Sequence, residues 1–271
     1  TMLQERIASA NGTAENPDVI VLNGTINIAE TLEITTPIKI IASTTEGVTI
    51  TRGSNLIGEF FNNTSTLTLE GITLDGGSGE TPIQATAPLI TSGGSLTLNN
   101  CTLQNNNNSN ATETGTGIFL QINDTSSLCS FNDVSFGKNS SDDIPHIKIE
   151  NNTDEKFTFN LGGNLAGGVP SIDMPSTTCI NITESLALSD GESIKITLDG
   201  YTIGNRIISA NEGINLIDEI SKFSLTTTEE SWFIDSAGYL VGGSVIAPEI
   251  SENGEFEVSS FENLLWIALE L

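Results

Sequence analysis

Leu67-Thr-Leu-Glu-Gly-Ile-Thr-Leu-Asp75 is a phrase that recurs twice more along this chain. It returns 29 residues later as Leu96-Thr-Leu-Asn-Asn-Cys-Thr-Leu-Gln104. A looser copy, Cys129-Ser-Phe-Asn-Asp-Val-Ser-Phe-Gly137, begins a further 33 residues on. Repeats of this length are typical of architectures in which each unit buries its apolar face by stacking on its neighbours. The repeat therefore predicts a solenoid.

Each phrase contains a break in its apolar alternation. Leu67 and Leu69 alternate with threonines, as in a half-buried strand, but the step from Leu69 to Ile72 is three residues. A sharp corner keeps both apolar pairs inside, and Gly, Asn and Asp tolerate turn conformations. We expect that corner at Glu70-Gly71, Asn99-Asn100 and Asn132-Asp133. Short strands bending round one core predict an all-β fold, a right-handed parallel β-helix.

The two ends of the chain differ from the repeats. Residues 3–10 form an amphipathic pattern ended by Asn11-Gly12, which predicts a short helix capping the N-terminal end. After Lys222 we expect antiparallel strands that close the other end, at Phe223–Leu225, Trp232–Ile234 and Tyr239–Val241. One module is thus predicted over residues 1–245. Residues 246–271 indicate a linker and a helix, which is either the start of a second module or a plain C-terminal helix.

The chain is strongly acidic, with 9 basic and 35 acidic residues and a net charge of −26. Such a surface repels phosphate backbones and anionic lipids, so nucleic-acid and membrane-surface roles are disfavoured. The acidic surface can instead keep the chain soluble or bind cations. No apolar stretch reaches the ~20 residues of a membrane span, and no signal-peptide pattern opens the chain.

The three cysteines do not indicate a disulfide framework. Cys101 occupies the repeat position of Ile72, and Cys129 that of Leu67, so both are predicted to be small core residues. Cys179 falls within another strand pattern. No CxxC pair accompanies them, and no metal site is predicted from cysteine.

Three variable stretches follow the repeated phrases, at residues 76–87, 105–117 and 139–145. Each stretch follows the second half of a repeated phrase, so we expect all three to emerge on one side of the solenoid. Insertions on one side of a repeat protein often build a binding face. Asp142 and Asp143, with the Asn-rich stretch 105–110, offer oxygen ligands for a possible calcium ion. The alternative is an ordinary solvated loop.

Catalysis is not predicted, and no catalytic or cofactor-binding residue is assigned. The basic residues of the repeat region lie in no recognisable motif: Arg52, Lys138, Lys148 and Lys156. His146, the only histidine, is interpreted as a surface or strand-edge residue. Paired carboxylates alone can hydrolyse a glycoside, so a polysaccharide lyase or hydrolase remains the alternative.

Residues 1–245 resemble a family through the opening helix, Val19-Ile-Val-Leu-Asn-Gly-Thr-Ile26 and the repeated phrases. The resemblance is to pectate-lyase-like adhesive β-helix domains of large surface proteins from Gram-positive bacteria and methanogenic archaea. It implies an extracellular, cell-surface, monomeric module within a longer tandem protein, binding glycan or protein ligands without catalytic residues. We therefore expect an adhesin or a stalk that spaces other domains. The three loops contain no aromatic residue, which favours the stalk.

Overall fold

The computed structural model describes residues 2–44, 47–77, 83–137, 144–226, 232–242, 248–251 and 255–258, together with residues 253, 263 and 267. Within these residues the chain is mostly β. Its helices are α1 (Met2–Ala8), α2 (Ala111–Thr114) and α3 (Leu216–Ile220). Its strands are β1 (Asp18–Leu22), β2 (Ile26–Ile28), β3 (Leu32–Ile34), β4 (Ile38–Ala42), β5 (Val48–Arg52), β6 (Phe61–Asn63), β7 (Thr66–Glu70), β8 (Ile72–Asp75), β9 (Gln84–Ala85), β10 (Ile90–Ser92), β11 (Ser95–Asn99), β12 (Thr102–Gln104), β13 (Asn107–Asn108), β14 (Ile118–Ile122), β15 (Cys129–Asn132), β16 (Ser135–Phe136), β17 (Ile147–Asn151), β18 (Phe157–Gly162), β19 (Ser171–Pro175), β20 (Thr178–Ile182), β21 (Ile194–Asp199), β22 (Ile208–Ala210), β23 (Phe223–Leu225), β24 (Trp232–Ile234), β25 (Leu240–Gly242), β26 (Glu249–Ile250) and β27 (Phe256–Glu257).

Three long parallel sheets organise these strands. The first sheet has the order β1-β4-β7-β11-β15-β18-β20-β22, and the second has the order β23-β21-β19-β17-β14-β10-β6-β3. The third sheet is shorter, with the order β16-β12-β8-β5-β2. Up to β16 the chain passes through the first, third and second sheets in rotation, and we call one such round a passage of the chain. From β4 on, a strand of these sheets pairs with the equivalent strand of the preceding passage. The predicted all-β class with parallel sheets is confirmed.

The repeated phrases pair in register, residue for equivalent residue. In the first sheet Leu67 pairs with Ile38 and Leu96, and Leu96 pairs with Cys129. These residues point inward and are fully buried, while the alternate positions, such as Thr68 and Thr97, point outward. Equivalent apolar side chains thus stack from strand to strand along one core. The predicted core roles of Cys101 and Cys129 are confirmed.

The predicted corner between the first and third sheets is also present. Gly71, Asn100 and Asp133 have positive φ angles of 68°, 51° and 54°. The left-handed conformation reverses the facing of the next side chain, so Leu69 and Ile72 are both buried. Backbone hydrogen bonds link successive corners, as from Gly71 N–H to the Asn99 carbonyl at 3.0 Å.

The N-terminal helix begins close to the predicted position and covers the edge of the second sheet. Leu3 and Ile7, one turn apart, are buried and pack with the helix against β3. After the helix, the Asn11 N–H donates to the Asp18 carboxylate at 2.6 Å, which fixes the entry into β1. The helix therefore contributes its apolar stripe to the same core as the strands.

The C-terminal prediction needs one correction. Strand β23, predicted to be antiparallel, pairs in parallel with β21 and extends the second sheet by one strand, because its register continues the buried row of Ile194. Strands β24 and β25 are antiparallel, as predicted, and so are β26 and β27. The helix predicted at 259–271 falls largely outside the described residues, although Asn263 and Ile267 are helical.

Candidate functional site

The described parts of the three variable stretches lie together. Strand β9, after β8, pairs in parallel with β13, after β12. The Asn110 amide donates to the Thr86 carbonyl at 3.0 Å, and the Thr116 N–H donates to the Pro145 carbonyl at 2.9 Å. Residues 83–87, 105–117 and 144–145 therefore form one surface, which we call the loop face. For these residues the predicted common side is confirmed.

The Asn side chains of the loop face are used within it. Asn106 is fully buried, and its amide donates to the Ala87 and Thr116 carbonyls at 3.0 and 2.6 Å. The Asn108 amide donates to the Gly115 carbonyl at 2.7 Å. The side-chain oxygens, predicted as possible calcium ligands, accept hydrogen bonds too, that of Asn106 from Arg52 at 3.0 Å and that of Asn108 from the Asn110 N–H at 2.9 Å. Such pairing satisfies the polar backbone groups that a loop over a core would otherwise bury.

A buried carboxylate anchors the base of the loop face. Asp75, at the end of β8, accepts hydrogen bonds from the side-chain amides of Gln104 and Asn105, each at 2.9 Å. Its second oxygen accepts from the Gly77 N–H at 2.9 Å. Asp75 is therefore satisfied by neutral donors and joins the first two loops at their roots.

A buried arginine supports the loop face from below. Arg52 is 3 % exposed, and its guanidinium donates to the carbonyls of Leu56 and Gly58 and to the Asn106 side-chain oxygen. It also lies 4.8 Å from the centre of the Phe60 ring. Burial lowers the pKa of Arg52 to about 10, and the negative charge of Glu59 opposes that shift. The alternation of Val48, Ile50 and Arg52 marks this inward position in the sequence, although Arg52 was not among the predicted site residues.

His146 lies beside the loop face, at the start of β17. Its Nδ1 accepts from the Ser171 N–H at 3.1 Å and lies 3.0 Å from the Ser171 hydroxyl. That hydroxyl is also 3.2 Å from the Ile144 carbonyl, to which it can donate. The imidazole ring tilts against Phe136, with 5.5 Å between ring centres. His146 is half-buried and directly precedes β17, an inner strand of the second sheet, and its contacts join this point to the start of β19.

The predicted calcium residues, Asp142 and Asp143, lie outside the described residues, as does Lys138. Among the residues that are described, no group of three or more His, Cys, Asp and Glu side chains is placed to hold a metal ion. The calcium site therefore stays a prediction.

A polar groove of ≈ 240 Å³ lies on the outer face of the second sheet, and its lining includes Lys148, Glu150, Pro175 and Asp199. Lys148 forms an ion pair with Asp173 at 2.7 Å, and both side chains are less than one-fifth exposed. This groove brings an ammonium group and several carboxylates to one strip of the sheet.

The described cysteines are free thiols. Burial raises the pKa of Cys101 to about 11 and that of Cys129 to about 12, so both stay protonated at neutral pH. Cys179 points outward from β20, and its thiol lies 3.4 Å from the Ser209 hydroxyl. Its pKa is also raised by burial, so none of the three is activated as a nucleophile.

No protein-family model, curated protein or solved structure matches this chain. Within the described part of the chain, no helix has the length and apolar character needed to cross a membrane. Evidence on function therefore comes from the loop face and from the second and third sheets that it joins.

Proposed function

We propose that the chain is a right-handed parallel β-helix that serves as a non-catalytic module of a cell-surface protein, as an adhesin or a stalk. The in-register ladders of three sheets visited in rotation support the β-helix. Crossovers between parallel strands of one sheet are right-handed in nearly all proteins, which supports the handedness. In this proposal residues 1–245 form the module, and residues 246–271 form a linker and a helix, which is either the start of a second module or a plain C-terminal helix.

The non-catalytic role is supported by one observation: the polar side chains of the loop face form hydrogen bonds with one another and with its backbone. Asp75 and Arg52, the buried charged residues beneath it, are held by amide and carbonyl groups. A general acid or base must reach its substrate in order to exchange a proton with it. Asp75 and Arg52 are buried and hydrogen-bonded to other groups of the protein, so they are not placed for that role. The loop face resembles a rigid cover, which favours a stalk at this surface.

The proposed location and partners rest on the resemblance to surface adhesins. An extracellular position on a cell surface, in a longer tandem protein, suits a chain whose net charge of −26 keeps it soluble. Glycans or proteins of a neighbouring cell are the proposed ligands of the adhesive form. The same charge disfavours nucleic acid.

A glycan-array screen, run with calcium and with a chelator, tests this proposal. The adhesive form predicts reproducible binding, and the stalk form predicts none from a well-folded sample. A Thr112→Ala/Glu113→Ala variant removes two exposed side chains of α2 without touching the buried amides. An Asp142→Asn/Asp143→Asn variant tests whether any chelator-sensitive binding depends on the predicted calcium loop. Degradation of any arrayed polysaccharide would contradict the non-catalytic proposal.

The second candidate is a polysaccharide-active enzyme, and the groove at Lys148 favours it. Two carboxylates on one groove, Glu150 and Asp199, are the residue types that hydrolyse glycosidic bonds. If this candidate is right, the protein releases new reducing ends from a polysaccharide and Glu150→Gln/Asp199→Asn abolishes the release. Release that survives this double substitution would exclude the groove as the active site.

A further inference from the structure

The corner between the first and third sheets forms a second groove, away from the loop face. Its volume is ≈ 390 Å³, within the usual range of small-ligand sites. It is lined by residues from four successive passages of the chain: Ala42, Ser43, Thr44, Glu70, Gly71, Asn99, Asn100 and Asp133. Strands in a sheet are about 4.8 Å apart, so the lining extends about 14 Å along the stack. We call it the corner groove.

The corner groove has hydrogen-bonding groups that the protein does not use. The side-chain amides of Asn99 and Asn100 form no hydrogen bond with the part of the chain that the structure describes, whereas those of Asn106 and Asn108 are paired internally. Ser43 is exposed in the same groove, two strands along the stack, whereas the neighbouring Thr44 hydroxyl donates to the Gly47 carbonyl at 3.3 Å. Each amide offers two donors and an acceptor, so the groove can meet a ligand rich in hydroxyl groups.

The backbone N–H groups of Gly71, Asn100 and Asp133 at the corner each donate to the next passage of the chain. The Gly71 N–H donates to the Asn99 carbonyl, and the Asn100 N–H donates to the Asn132 carbonyl at 2.9 Å. A peptide that binds as an added strand needs a free backbone edge, which the corner does not supply. Recognition in this groove therefore depends on side chains, and favours hydroxyl groups over a peptide main chain.

The charges beside the groove determine which ligands it accepts. Glu70 forms an ion pair with Lys39 at 2.7 Å. The Asp133 carboxylate accepts from the Asn164 N–H at 2.7 Å. Glu70 is thus compensated by Lys39, whereas Asp133 forms no ion pair with the described part of the chain. The Asp133 carboxylate, together with the net charge of −26, disfavours uronates and sulfated sugars.

We propose that the corner groove binds a short neutral oligosaccharide lying along the stack of strands, with Asn99 and Asn100 as its main contacts. The repeat of polar side chains at the strand spacing is close to the repeat of sugar units in an extended β-linked glycan. The inference rests on the proposed function in its adhesive form, and it moves the ligand from the loop face to the corner.

The test is isothermal titration of the whole chain with cellohexaose, mannohexaose, laminarihexaose and chitohexaose, each neutral, and with hexagalacturonate. An Asn99→Ala/Asn100→Gly variant removes both amides and keeps the corner, because glycine already occupies the equivalent position at Gly71. Gln121→Thr, which removes one amide from the outer face of the second sheet, is the matched control. Circular dichroism and the unfolding midpoint establish that each variant is folded.

We expect at least one neutral hexaose to bind, the double variant to weaken that binding about tenfold or more, and Gln121→Thr to change it less than about twofold. Binding that survives the double variant but is lost in Thr112→Ala/Glu113→Ala overturns the corner site and leaves the adhesive function standing. No binding by any neutral hexaose also overturns the inference and leaves the stalk form. Equal binding of hexagalacturonate overturns the neutral ligand class.

Discussion

At the corner between the first and third sheets, one backbone conformation is adopted by three residue types. Gly71, Asn100 and Asp133 all have positive φ, which costs a residue with a Cβ atom roughly 1–2 kcal/mol unless its side chain tolerates the left-handed region. Glycine, Asn and Asp are the residues that accept it most readily. The corner is therefore encoded by single residues rather than by a longer loop.

Asn100→Val should lower the free energy of unfolding by about 1–2 kcal/mol, because a β-branched residue is strained at φ 51°. Asn100→Gly should change it by less, since glycine adopts this conformation freely. Urea unfolding of both variants measures the difference. Equal stability of the two variants would show that the left-handed corner is not required.

Glu219 is a buried carboxylate whose ionisation contributes to stability. Burial raises its pKa, but hydrogen bonds from Ser185, Lys222 and the Leu186 N–H outweigh that effect and lower the pKa below its usual value. A lowered folded-state pKa stabilises the protein above the unfolded-state pKa of about 4.3, and the contribution is lost as pH falls through the folded-state value.

Glu219→Gln should therefore lower the free energy of unfolding by about 1–3 kcal/mol at pH 7. Because the native carboxylate becomes protonated in acid, the difference between the variant and the parent should shrink below pH ~4. Urea unfolding at a series of pH values measures it, with the exposed Glu192→Gln as the control. Parallel pH profiles for the two variants would contradict this role for Glu219.

At the level of the elements, the loop face depends on an inward-pointing arginine as well as on the buried Asp75. Arg52 terminates β5 and joins the turn at Leu56 to the buried Asn106 of the second loop. Removing the guanidinium leaves buried carbonyl and amide oxygens without donors, which costs about 1–3 kcal/mol for each such group.

We predict that Arg52→Met destabilises the protein by several kcal/mol and speeds amide hydrogen exchange in residues 105–117. Lys39→Met is the matched control, because it removes a partly exposed ion pair that contributes about 0–1 kcal/mol. Mass spectrometry of exchange localises the effect. If exchange in this loop does not change in Arg52→Met, the loop face does not depend on the arginine.

The sequence predicted the elements whose patterns are local. The phrase from Leu67 to Asp75 predicted the alternation, the corner and the strand that pairs with it. The hydrogen-bond partners of Asn106 and Asn108 were not predictable, because an Asn-rich stretch has the same composition whether its amides face a ligand or the protein. The parallel pairing of Phe223–Leu225 was missed for a similar reason: three residues contain too little pattern to specify strand direction.

At the scale of the whole molecule, an uninterrupted apolar core is combined with a net charge of −26. Like charges on a folded surface repel one another more than in the expanded unfolded chain. Salt weakens that repulsion by shortening the Debye length from about 30 Å at 0.01 M to about 3 Å at 1 M.

We therefore expect the thermal midpoint to rise as potassium chloride is increased over this range. An Asp190→Asn/Glu192→Gln variant, which removes two exposed charges, should show a smaller rise. Differential scanning calorimetry measures both. A midpoint that falls with salt would show that attractive ion pairs outweigh the repulsion.

The proposed function in its adhesive form, together with the corner groove, makes this stack of parallel strands a binding module without catalytic activity. The most direct measurement incubates the protein with the four neutral hexaoses and determines, in the same samples, the bound fraction and the length of every recovered sugar. We expect that at least one hexaose is bound in the corner groove and that all of it is recovered intact. Shortened products that disappear in Glu150→Gln/Asp199→Asn would contradict the account and identify an enzyme.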